Sequence, residues 1–106
     1  MASRPQGTKF KLVGASTLIH TGIGNLYSMT VNWRGLAAGN RILIHDGLDA
    51  TGTVIEEVII NDANSVNPLV VSLPAVGKQF ATGLYVNLAG APGGEKNVSV
   101  GYDGNA

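Results

Sequence analysis

His20 and His45 are the only imidazoles in the chain, and with Asp46 or Asp49 they supply the donor types of a metal site. Their spacing matches no ligand signature, and both stand beside aliphatic residues in strand-like stretches. They read as surface or interface side chains with satisfied hydrogen bonds. Asp46, Asp49 and Asp62 fall in loops, yet a calcium site draws roughly six to eight oxygens from a dense acidic loop. Scattered as they are, these aspartates read as turn formers. Glu56 and Glu57 are adjacent, and neighbours in a strand face opposite sides, so they cannot flank one bond as acid and base. No serine occupies a G-x-S-x-G elbow. Gly22-Ile23-Gly24 opens like a phosphate loop but lacks the third glycine and the helix, so it reads as a bend. The residue chemistry therefore points to a protein that is not an enzyme and takes no cofactor or metal.

Composition narrows the class further. The chain has 106 residues, seven basic and seven acidic side chains, fifteen glycines and no cysteine. A neutral, charge-poor domain lacks the footprint of a nucleic-acid binder, and no basic amphipathic stretch suits a membrane surface. Low net charge opposes self-association only weakly, which hints at an assembly protein. Thiol chemistry and disulfides are excluded. No apolar run matches a signal peptide or a membrane span, so the expected site of synthesis is a cytoplasm.

Many glycines between β-branched and aliphatic runs specify an all-β domain. The expected fold is a single small β-sandwich, jelly-roll-like, of about eight antiparallel strands spanning residues 8–103. A flexible arm (1–7) precedes it and a short tail (104–106) follows. Asn25 to Gly47 is expected to form a central hairpin that turns at Leu36–Asn40. Tyr27, Met29, Val31 and Trp33 would share its buried face. In the first strand Phe10 and Leu12 are expected inside, with Lys9 and Lys11 outside. Thr53 to Ile60 places a glutamate among apolar residues in either register, and a bulge at Glu56-Glu57 would switch its faces. Asn61 to Ser65 reads as a turn. Lys78 to Leu88 reads as one strand bent at Gly83, and Val98, Val100 and Tyr102 point inward from the last.

Sugars stack on exposed rings, which makes the aromatic residues a carbohydrate-site candidate. Tyr27 and Trp33 are better explained by burial, whereas Tyr85 alternates outward and suits a contact surface. Both faces of the Thr53–Ile60 strand are apolar, more than one small sandwich can cover. Ile55, Glu57 and Ile59 on one of them are therefore expected at a subunit contact. Arg34 and Arg41, flanking the expected hairpin turn, are candidate polar contacts to a neighbour.

Leu26-Tyr27-Ser28-Met29-Thr30-Val31, Gly39-Asn40-Arg41-Ile42, Asp46-Gly47 with Gly52-Thr53, Thr82-Gly83-Leu84-Tyr85-Val86 and Val98-Ser99-Val100-Gly101-Tyr102 occur in one order. This set, covering most of the chain from Lys11 onward, resembles small all-β structural proteins of tailed bacteriophages. Within them it is most similar to capsid decoration, or cement, proteins. The resemblance implies a homotrimer made in the host cytoplasm and seated on the capsid surface of the virion. There it would clamp major capsid protein subunits, with no direct contact to nucleic acid or membrane. Neck and tail components, or an accessory protein that binds a carbohydrate or receptor, are the alternative within the same group.

Overall fold

The computed structural model describes residues 9–60 and 69–104. The described residues form nine strands and no helix. They are β1 (Lys9–Val13), β2 (Thr17–Thr21), β3 (Gly24–Arg34), β4 (Arg41–Asp46), β5 (Thr53–Ile59), β6 (Leu69–Val71), β7 (Lys78–Phe80), β8 (Gly83–Asn87) and β9 (Glu95–Gly104). One sheet runs β1-β9-β3-β6, with β7 also paired to β3, and the other runs β2-β8-β4-β5. Every pairing is antiparallel. The all-β sandwich expected from the glycine-punctuated aliphatic runs is what the chain forms.

The core lies between the sheets. Leu26, Met29, Val31, Val98 and Val100 of the five-stranded sheet face Ile42, Ile44, Val58, Leu84 and Val86 of the four-stranded one. Each such side chain, fully buried, contributes about 1.5–3 kcal/mol. Val98, Val100 and Tyr102 point inward as expected, and Trp33 is buried.

Four expectations are corrected. The stretch from Asn25 to Gly47 is not a hairpin, because β3 and β4 belong to different sheets. Leu36 is fully buried and draws the connection into the core, while Gly39 N–H donates to Ile60 O and Ile60 N–H to Asn40 O. Gly35 and Gly39 take positive φ values of 77° and 93°, which glycine adopts without strain. Tyr27 does not join the buried face. The β3–β9 register shifts between Leu26 and Ser28, and the bulge turns Tyr27 outward and leaves Leu26 inside.

Phe10 and Leu12 are 72% and 64% exposed. The β1 register opposes Phe10 to Gly101 and Lys11 to the inward Val100. The Phe10 ring therefore lies over the bare backbone of Gly101, where a Cβ would come within 2.8 Å of its Cε1. An aromatic ring shielding a strand glycine outweighs the inward choice. Lastly, Lys78 to Leu88 is two strands, β7 in one sheet and β8 in the other, with the chain crossing between sheets at Ala81-Thr82.

Smaller differences follow the same logic. The β5 bulge falls at Ile55, because Glu56 opposes Ile44 and Val54 opposes His45. Asp103 and Gly104, assigned to the chain's end, pair with Asn25 and Gly24 as part of β9. The arm at 1–7 and the turn at Asn61–Ser65 lie outside the described residues.

Candidate contact surfaces

The residues expected to make contacts split into three groups. Arg41, Glu57, Ile59 and Tyr85 come together on the outer face of the four-stranded sheet. Leu43 opposes Glu57, Arg41 opposes Ile59, and Leu18, Tyr85, His45 and Val54 form one row across β2, β8, β4 and β5. Arg34 sits elsewhere, at the end of β3 in the other sheet. Ile55 turns toward the interior at the bulge and packs against the core. The sequence signal for Ile55 was the period of two, and the bulge broke that period.

This face is apolar with a polar seam. Leu18, Val54 and Ile59 are 41%, 47% and 50% exposed. Between them Arg41 Nε donates to Glu57 Oε2 at 2.6 Å, and Nη2 meets the same oxygen. Both partners are solvent-accessible, so the pair contributes about 0–1 kcal/mol. Glu56 faces the other way, where Lys78 Nζ donates to its Oε1 at 2.9 Å and to Ile55 O at 2.6 Å. Lys78 belongs to the five-stranded sheet, so this pair ties the two sheets at the sandwich edge. The two glutamates thus serve opposite sides, as their adjacency required.

The histidines are also apart, and contrary to expectation His45 is buried and His20 has a buried ring nitrogen without a partner. His45 lies on the outer face but is 3% exposed, roofed by the loop after β4. Its Nδ1 meets Gly52 O at 2.9 Å and its Nε2 meets Asn87 Nδ2 at 3.1 Å. Ala89 N–H donates to Asn87 Oδ1. That bond makes Asn87 Nδ2 the donor to Nε2 and assigns the ring proton to Nδ1. His20 points inward, 5.9 Å from the rings of both Phe80 and Tyr102, with Nε2 buried and unpaired. Opposite faces of one sheet cannot share an ion. Among the described residues, no three His, Cys, Asp or Glu side chains come together.

The carboxylates hold loops. Burial raises the Asp46 carboxyl, but amide donors from Ala81, Thr82 and Gly83 outweigh it and hold the group below the usual carboxylate range. Asp49 is lowered by the Thr51 hydroxyl and amide. Asp103 accepts from Asn25 N–H and from the Tyr27 hydroxyl, which it holds above its ordinary range by that hydrogen bond.

Sequence reasoning missed a second surface. Phe10, Leu12 and Val70 project from the outer face of the five-stranded sheet, Val70 at 70% exposure. At one end of that sheet an open polar cleft of about 300 Å³ is lined by Asn32, Trp33, Arg34, Glu95, Lys96 and Asn97. Trp33 is only 4% exposed and offers no ring face to a sugar. Compared with protein-family models, with curated proteins and with solved structures, the chain finds no match.

Proposed function

We propose that the chain is a non-enzymatic structural protein of a phage virion. It binds the outside of the assembled capsid and bridges major capsid protein subunits. The observation that supports this reading is the outer face of the four-stranded sheet. It presents Leu18, Tyr85, Val54 and Ile59 around the Arg41–Glu57 pair, and it is carried on regular strands rather than on loops. Apolar patches with a polar seam suit protein partners. The ordered set of strand motifs quoted from the sequence supports the same class. A ligand that binds only the assembled shell stabilises that shell by mass action, and many copies multiply the effect.

Co-sedimentation with undecorated heads tests the reading. The chain is expected to pellet with heads and to raise their resistance to heat or chelation. Ile59→Asp is expected to weaken that binding at least about tenfold and to cost about 1–2 kcal/mol of stability, since Ile59 is half buried in β5, so the chain stays folded. Failure of the wild-type chain to pellet with any head sinks the proposal. The polar cleft at Arg34 is the feature that favours the carbohydrate-binding alternative. Glycan binding that is lost in both Arg34→Ala and Asn97→Ala would move the reading there.

A further inference from the structure

The outer face of the five-stranded sheet is complementary to itself. β9 and β3 run side by side down its middle, with Glu95 opposite Arg34 and Asn97 opposite Asn32. On the next row Ser99 opposes Thr30, and the same row carries Leu12 on β1 and Val70 on β6. Consider a two-fold axis parallel to the strands, midway between β3 and β9. It lays β9 over the partner's β3 and β1 over the partner's β6. Arg34 then meets the partner's Glu95, and Leu12 meets the partner's Val70, each contact occurring twice. Asn32 meets the partner's Asn97. Between the end rows at Glu95 and Asp103 this face carries no charged side chain among the described residues, so none of these forces like charges together. Strands of the two copies run aligned, as in the common class of sheet-on-sheet packing.

We propose that this face binds a second copy of the chain as a two-fold pair. Association through the faces is also what the edges leave open. β1 carries Lys9 and Lys11 on its inward side, β2 and β5 are bulged, and β6 and β7 have three residues each. Each device discourages strand addition. Phe10, fixed over Gly101, adds a large apolar group at the flank of the same face. The strand lattice covers roughly 500 Å² per copy. That is below the ~800 Å² per partner of a standard interface, so the pair belongs to the weak, transient class. The pairing uses the sheet opposite the shell-binding face, and it replaces the three-fold assembly that the resemblance implies.

Sedimentation equilibrium of the full chain between about 1 µM and about 500 µM tests it. The mass is expected to rise from monomer to dimer. Arg34→Glu and Glu95→Arg are each expected to weaken the dimer at least about tenfold, and the double exchange to restore it within about threefold. Leu12→Asp is expected to give a monomer with unchanged melting, since Leu12 is exposed, whereas Ile59→Asp leaves the dimer intact. A wild-type monomer at the highest concentration overturns the proposal. A trimer, or an oligomer dissolved by Ile59→Asp and indifferent to Leu12→Asp, overturns it equally. A dimer that obeys the charge exchange but ignores phage heads keeps the pair and removes the virion reading.

Discussion

Phe80→Ala is expected to cost about 3–5 kcal/mol, the largest loss from any single side chain discussed for this protein. A domain of this size holds about 5–15 kcal/mol in total, so the melting temperature should fall by about 15–30 °C. The reason is local. β7 has three residues, and the ring of Phe80 is its fully buried anchor. The ring fills the space over Gly24, where a Cβ would come within 2.6 Å of Cζ. It also stands edge-on to His20 at 5.9 Å. Truncation opens a cavity beside a buried ring nitrogen that already has no partner. The check is thermal and urea unfolding beside Val70→Ala, where the exposed side chain should cost under about 0.5 kcal/mol. Equal losses in the two variants would place β7 outside the cooperative core.

Asp46→Ala should cost about 2–4 kcal/mol, because three amides lose a charged acceptor at once. Ala81 N–H donates to Oδ2 at 3.0 Å, and Thr82 and Gly83 N–H donate to Oδ1 at 2.8 and 3.3 Å. These bonds pin the crossing from β7 to β8, so the loss spreads to both sheets. Asp46→Asn keeps one acceptor oxygen and turns an amide donor toward the other side, and about half the effect is expected. The pH dependence follows from the sign of the shift. The folded carboxyl titrates below its unfolded value of 3.8. Its stabilisation is complete above that value and disappears as pH falls through the folded one. Wild-type stability should therefore drop more steeply than that of Asp46→Asn between about pH 5 and about pH 2. Parallel curves for the two proteins would show that the amide cradle does not select the charged form.

Phe80 and Asp46 meet at a place the sequence disguised. Lys78 to Leu88 alternates well enough to pass for one strand, and Gly83 looks like a bend within it. Alternation reports that a residue faces a core, but a sandwich has two sheets facing the same core. A chain crossing from one sheet to the other keeps its inward residues inward. The same ambiguity turned β3 and β4 into an apparent hairpin, since Leu36–Asn40 reads equally well as a tight turn or as an arch between sheets. Leu36, fully buried, decides for the arch.

The contact surfaces were legible to a similar degree. Tyr85, Glu57 and Ile59 follow from alternation and Arg41 from its place beside the expected turn, and the register gathers all of them on one face. Ile55 was lost to a bulge, and Arg34 to the arch that separates it from Arg41. Phe10 and Leu12 were assigned inward because apolar residues in an alternating strand usually are. Their outward position depends on Gly101, far away in the chain and opposite Phe10 only after β1 docks on β9.

By itself the sequence determined the class of structure. The glycine punctuation and the period of two specify an all-β domain, with Met29, Val31, Trp33, Val98 and Val100 in its core. Those properties are local, since turn chemistry and alternation act over a few residues. The tertiary structure alone decided which sheet each strand joins, where the bulges at Tyr27 and Ile55 fall, and which faces remain uncovered. Those depend on long-range register, and a one-residue slip exchanges every inward side chain for an outward one. A short pattern cannot encode that choice, because the energy that makes it comes from residues on other strands.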